Sequence, residues 1–267
     1  MAPRRRLDIE LVRRGLARSR EHAATLVADG RVLVGGRTAT KPATAVDPAE
    51  AVLVTEASDG ADEYVSRGGH KLAGALDAFT ALSVTGRRCL DAGASTGGFT
   101  DVLLRRGAAA VLAVDVGYGQ LAWSLRSDER VTVHDRTNVR ELDAELVGGP
   151  VDVVVGDLSF ISLRLVLPAL AGLTVPDGDL VLMVKPQFEV GRERVGKGGV
   201  VRDPALRGEA VRSVADAARQ VGLGVAGVTA SPLPGPSGNV EYFLWLRRGA
   251  PDLDPVALDT AIQEGPS

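Results

Sequence analysis

The residues best suited to chemistry stand at the ends of apolar runs. Arg88-Cys89-Leu90 leads into Asp91, Val111–Val114 into Asp115, and the stretch before His134 into His134-Asp135. Val151–Val155 leads through Gly156 into Asp157, and Leu180–Val184 into Lys185. Asp91 opens a turn holding Gly93, Ala94, Ser95, Gly97 and Gly98, and a helical stretch follows from Phe99 to Arg106. Glycines in such a turn let the backbone come close to a ligand, and a helix start offers free N–H groups. A carboxylate ending the next buried strand is the usual acceptor for ribose hydroxyls. The turn is not G-x-G-x-x-G, so the dinucleotide fingerprint does not apply. Two more residues stand out. Lys71 falls on the first turn of an expected helix, the end that disfavours a cation. Glu241 lies in the last apolar run, Val240–Leu246.

These ends become neighbours only if the strands lie side by side and run the same way. From residue 88 onward apolar strands alternate with helical stretches. Helices are expected at 70–82, 99–106, 121–126 and 140–146, then from about 160 to 173 and at 204–221. Strands at 130–134, 151–155, 180–184, 225–230 and 240–246 carry few inward polar positions, the mark of a sheet covered on both faces. Ligands bind such sheets beyond the carboxyl ends of the strands. The turn Pro232–Gly238, between two short strands, predicts an antiparallel final strand. The expected fold is α/β: a mostly parallel, Rossmann-like sheet with helices on both faces, preceded by a small α+β domain.

The 267 residues exceed the needs of one small domain. The single cysteine, Cys89, excludes a disulfide framework and points to a reducing, cytoplasmic setting. Three scattered histidines give no metal-ligand spacing, so no metal is expected. No apolar run approaches the ~20 residues of a membrane span. The net charge of −3 hides an asymmetry: residues 1–41 carry ten basic and four acidic side chains, leaving −9 for the remainder. A basic arm on an acidic body suits a polyanionic partner. In the arm, a short helix from Leu7 can end at Gly15, a second with Ser19 as its N-cap stops at Gly30, and Arg31–Arg37 reads as a strand into a tight turn. Residues 38–63 end as a linker, with a boundary near 60.

The arm pattern Arg6-Leu-Asp8, Leu11-Val, Gly15-Leu, Ser19-Arg20, Leu26-Val, Gly30-Arg31-Val and Gly36 resembles the ribosomal-protein-S-four type of RNA-binding domain. That resemblance makes Arg5, Arg6, Arg20 and Arg31 candidate RNA contacts. The glycine turn is similar to the first motif of S-adenosylmethionine-dependent methyltransferases. Lys71, Asp157, Lys185 and Glu241, in that order, resemble the tetrad of FtsJ-like ribose 2′-O-methyltransferases. Together the chain resembles the TlyA (haemolysin A) family of ribosomal RNA cytidine-2′-O-methyltransferases over residues 4–247. Expected domains are 1–60, 61–248 and a peripheral acidic tail, 249–267.

The resemblance implies S-adenosylmethionine as cofactor. Gly93, Ala94, Ser95, Gly97 and Gly98 would surround its methionine part, with its carboxylate near the helix start at Phe99. Asp115 would accept from its ribose and Asp135 from its adenine amino group, and Asp91 and Asp157 are further cofactor-binding candidates. It also implies the tetrad's roles. A ribose hydroxyl is a weak nucleophile, and a lysine serving as its base must fall from ~10.4 to ~7–8. Burial and a second cation push that way, and a carboxylate opposes it. Lys185 is therefore the expected base and Lys71 its neighbouring cation. Asp157 and Glu241 are expected to position the lysines without lying close enough to hold Lys185 charged. Either lysine remains open as the base. The segment 187–202, with Arg192, Arg194, Lys197 and Arg202, reads as a mobile basic loop that closes on RNA, and Arg67 as a further contact. Expected partners are ribosomal RNA or ribosomal subunits and no membrane, with the chain a monomer or a dimer. Two other classes stay in view: a non-enzymatic ribosome assembly factor, and a pore-forming haemolysin.

Overall fold

The computed structural model describes residues 4–17, 19–28, 30–47, 50–54, 64–235 and 237–266. The chain divides into two units, Met1–Glu63 and Tyr64–Ser267.

In the first unit, β1 (Arg5–Arg6) pairs antiparallel with β4 (Ala45–Val46). Helices α1 (Leu7–Arg13) and α2 (Arg20–Ala28) bury Leu7, Leu11, Ala23, Leu26 and Val27 on one core. Gly15 and Gly30, at φ +72° and +71°, follow these helices, a conformation glycine adopts without steric cost. Strands β2 (Val32–Val34), β3 (Arg37–Thr38) and β5 (Val52–Val54) form a small antiparallel sheet around β2.

The second unit begins with α3 (Arg67–Ala78), followed by β6 (Arg88–Ala92), α4 (Gly98–Arg105) and β7 (Ala110–Val114). Next come α5 (Trp123–Arg126), β8 (Val131–His134), β9 (Val151–Gly156), α6 (Leu163–Leu173), β10 (Thr174–Val184) and α7 (Pro186–Glu189). The chain continues as α8 (Pro204–Gln220), β11 (Gly224–Ala230), β12 (Tyr242–Arg247) and α9 (Pro255–Glu264). Seven strands make one sheet in the order β11-β12-β10-β9-β6-β7-β8. β6 to β10 run parallel, and β12 lies antiparallel between β10 and β11. Side chains alternate across the sheet as the strand period requires. Cys89, Val153, Val155, Val181 and Phe243 pack with Leu72, Phe99, Val102 and Leu125 from α3, α4 and α5. Leu90, Val154, Leu182 and Leu244 pack on the other face with residues of α6, α8 and α9.

Four elements differ from expectation. α3 starts at Arg67 after an extended Ser66, so Lys71 lies in its second turn rather than its first. Residues 140–146 form no α-helix; only a 3-10 turn, Val139–Glu141, appears. β10 reaches back to Thr174 through an irregularity before Asp179, where Pro176, Asp177 and Gly178 read as a turn. The supposed peripheral tail contains α9, whose Leu258 and Ala261 are buried in the core.

Candidate active site

The glycine turn between β6 and α4 is held from three sides. Gly93 has φ +86°, and a Cβ there would lie 2.6 Å from the carbonyl oxygen of Asp157. Only glycine permits that approach. Gly97, at φ +99°, precedes α4. A Cβ on Gly98 would lie 2.7 Å from the Gly69 nitrogen, which is how closely the starts of α3 and α4 approach. Ser95 sits at φ +48°, and its N–H donates to Oδ2 of Asp115 at 2.8 Å. Gly117 N–H donates to the other oxygen at 2.7 Å. Asp115 thus shapes the turn from the end of β7.

Asp91 lies beneath the turn, fully buried. Oδ2 accepts from Thr100 Oγ1 at 2.7 Å, and Oδ1 has no hydrogen-bond partner. Burial raises its pKa from 3.8 to about 7, the Thr100 hydroxyl opposes the shift, and the charges of Asp157 and Asp115 add to it. An orphaned buried carboxyl oxygen under a glycine turn suits a cationic donor, such as the ammonium of a methionine moiety. Asp135, after β8, is engaged otherwise: Arg126 donates to its Oδ2 at 2.8 Å and holds the carboxyl below its usual range. An adenine amino group would have to use its other oxygen.

The four tetrad candidates form two ion pairs. Lys71 Nζ donates to Glu241 Oε2 at 2.5 Å, and both side chains are buried. Lys185 Nζ lies 2.5 Å from Asp157 Oδ1 and donates to Ser159 Oγ at 2.9 Å. The expectation that Asp157 stands clear of Lys185 is therefore corrected. Asp157 follows β9 and Lys185 follows its parallel neighbour β10, so the sheet itself brings the two side chains together. Glu241 immediately precedes the antiparallel β12, and Gly235 is packed against its carboxylate: a Cβ there would lie 2.6 Å from Oε1.

The segment after Lys185 is tethered rather than free. Arg194 donates to both carboxylate oxygens of Glu209, at 2.8 and 2.5 Å, and to Val190 O. Asn239 clamps Gly199 O and Val201 N–H. Val190, Val201 and Ala210 form a small apolar cluster beneath. Arg192 and Lys197 stay exposed, and Arg67, on the first turn of α3, is half-buried. In the first unit Arg5 is exposed and Arg31 partly so, while Arg6 and Arg20 share the buried carboxylate of Asp8.

Sequence reasoning missed two residues here. Glu189 counts in the sequence only as a loop acid. It is buried, accepts from Ser162 Oγ at 2.5 Å and Leu163 N–H at 2.7 Å, and so ties α7 to the start of α6. Burial raises its pKa. Phe160 has φ +64° and is 91% exposed, with its ring centroid 5.3 Å from that of Phe188. A strained, exposed aromatic one residue past Ser159 has the form of a stacking surface, and Asp157-Leu-Ser-Phe160 was the signal.

Residues 64–248 match the FtsJ-like methyltransferase family model, and residues 5–52 the S4 domain model. Over 275 residues the chain is 61% identical to the 16S/23S rRNA (cytidine-2′-O)-methyltransferase TlyA of Mycobacterium tuberculosis, and all of both chains is covered. It is 37% identical to Hemolysin A of Brachyspira hyodysenteriae, covering 89% of this chain and 98% of that one. A solved Streptococcus thermophilus protein named as a hemolysin aligns at TM-score 0.77 and 38% identity, covering 99% and 96%. With two domain matches in this order and full-length identity, the chain belongs to the TlyA family: an FtsJ-like methyltransferase preceded by an S4 domain.

Proposed function

We propose that the chain transfers a methyl group from S-adenosylmethionine to the 2′-hydroxyl of cytidine in ribosomal RNA. The observation that carries this reading is the placement of two lysine–carboxylate pairs beside the Gly93–Gly98 turn, in a chain 61% identical to an enzyme so named. The residues present suit the cofactor: the turn tolerates no Cβ at Gly93, and Asp91 keeps an unpartnered oxygen. When bound, the cofactor supplies an electrophilic methyl group. Asp91 would meet its ammonium and Asp115 its ribose, while the turn would exclude water from its methionine part.

The tetrad handles the hydroxyl. Lys71, fixed by Glu241, donates to the ribose oxygens and aligns the attack. Lys185 would face the hydroxyl proton, and its contact with Asp157 must open before Nζ can take that proton. Asp157, with a side chain 25% exposed, is the most exposed of the four and is the member proposed to swing aside. Lys185, left with Ser159 alone, can then shed a proton to solvent and take the one from the hydroxyl. The test is methyl transfer to purified ribosomal subunits, read by mapping ribose methylation. Lys185→Ala and Lys185→Arg should each slow transfer ~10²–10⁴-fold with RNA binding retained, since a guanidinium cannot accept the proton. A near-normal Lys185→Arg rate would move the base to Lys71 or to catalysis by alignment alone.

A further inference from the structure

In the first unit a single buried carboxylate gathers two exposed arginines from different elements. Asp8, in α1, is 4% exposed. Arg6, which precedes α1, donates to it through Nε at 3.1 Å and a terminal nitrogen at 3.0 Å, one bond to each carboxylate oxygen. Arg20, opening α2, donates through Nε at 3.3 Å and a terminal nitrogen at 3.0 Å, both to Oδ2. The arginine side chains remain 49% and 61% exposed. Two like charges sharing one acceptor oxygen would separate without it, because guanidiniums repel and have long, soft side chains. Oδ1 also accepts from the Ile9 N–H at 2.9 Å, so the carboxylate is itself fixed to the backbone of α1.

Glu10 provides an internal contrast. It too is buried and binds two arginines, Arg13 and Arg14. Arg14, however, is only 20% exposed and also donates to Glu50 O, so of that cluster only Arg13, 47% exposed, faces outward. The Asp8 cluster faces outward, with a net positive charge and unused N–H groups on two planar guanidiniums.

We propose that Asp8 is a positioning residue for RNA: it preassembles Arg6 and Arg20 into one two-guanidinium clamp for a backbone phosphate. The inference rests on the RNA-binding reading of the arm. It predicts a result opposite to simple charge counting. Asp8→Asn raises the net charge of the arm by one, which by Coulomb attraction alone would tighten RNA binding and steepen its salt dependence. If Asp8 positions the clamp, the same change weakens binding.

The experiment measures binding of the full chain to purified ribosomal subunits over a salt series. Four proteins are compared: the natural chain, Asp8→Asn, Arg6→Ala/Arg20→Ala and the triple variant. Circular dichroism and a thermal melt of each confirm that the first unit is folded. Asp8→Asn should bind about tenfold more weakly at 0.1 M salt, the effect of losing charge-assisted hydrogen bonds to a phosphate. Its log–log salt slope should be shallower by about one. In the triple variant Asp8→Asn should add nothing to the loss from the two arginines, whereas mere damage to the fold would add. Equal or tighter binding by Asp8→Asn overturns the positioning role. Full affinity in Arg6→Ala/Arg20→Ala overturns the RNA reading of these arginines and the inference with it. An Asp8→Asn chain that fails to fold is replaced by Asp8→Glu, which keeps the charge but displaces the acceptor; unchanged affinity there also overturns the proposal.

Discussion

At the scale of single residues, Asp91 is far displaced from its ordinary chemistry. Its pKa of about 7 in the folded chain stands against 3.8 in a solvated one. Between those values the folded protein keeps a proton that the unfolded chain has lost. Stability of the ligand-free chain therefore falls as pH rises from about 4 to about 7 and levels off above. At ~1.4 kcal/mol per unit the fall is at most ~4 kcal/mol. Asp91→Asn should flatten that part of the profile, as read from urea unfolding midpoints at pH 5 and pH 8. A parallel profile for both proteins would place the raised pKa elsewhere. Cofactor docking on Oδ1 favours the carboxylate, so binding below pH 7 should release a proton, detectable by calorimetry in buffers of different ionisation enthalpy. The acids at the strand ends were legible because an apolar run announces each one. What the sequence hid was their pairing. Nothing in Val155-Gly-Asp157 or Met183-Val-Lys185 says that two carboxyl-terminal ends on neighbouring strands will meet at 2.5 Å. Asp8 and Glu189 were hidden for the same reason, since burial of a charge is a property of packing and not of type.

At the scale of elements, uninterrupted apolar strands and helices closed by glycine were readable, whereas elements built on mixed residues were not. Residues 174–179 contain Pro, Gly and two Asp, yet they open β10, because Asp179 is buried and accepts from Arg87 at 2.8 Å and from Trp245 Nε1 at 2.7 Å. Without those distant partners the segment can only read as a turn. α9 was missed because its acids, Asp259 and Glu264, drew notice away from Leu258 and Ala261, one helical turn apart on its inner face. That helix packs on β11, at the edge of the sheet. Leu258→Ala should cost ~2–4 kcal/mol of stability in chemical denaturation, with methyl transfer near normal at low temperature. A loss below ~1 kcal/mol would make the helix an ornament after all.

At the scale of the whole molecule, the charge asymmetry and the two compact units point to a division of labour: an arm that meets polyanion and a body that performs transfer. Removing Met1–Glu63 should leave a folded body that binds S-adenosylmethionine with little change in affinity. Its affinity for ribosomal subunits should drop, and its salt slope should become shallower by about one for each phosphate that the arm had neutralised. An unchanged slope would reduce the arm to a solvated face.

The position of β12 carries one consequence for synthesis. Lys71 and its partner Glu241 are 170 residues apart, and β12 must slide between β10 and β11 to deliver that carboxylate. A ribosome making this chain therefore releases nearly all of it before the tetrad can close. Until then a lysine destined for burial waits without its counter-ion, and the nascent chain lacks the ion pair that closes this part of the fold.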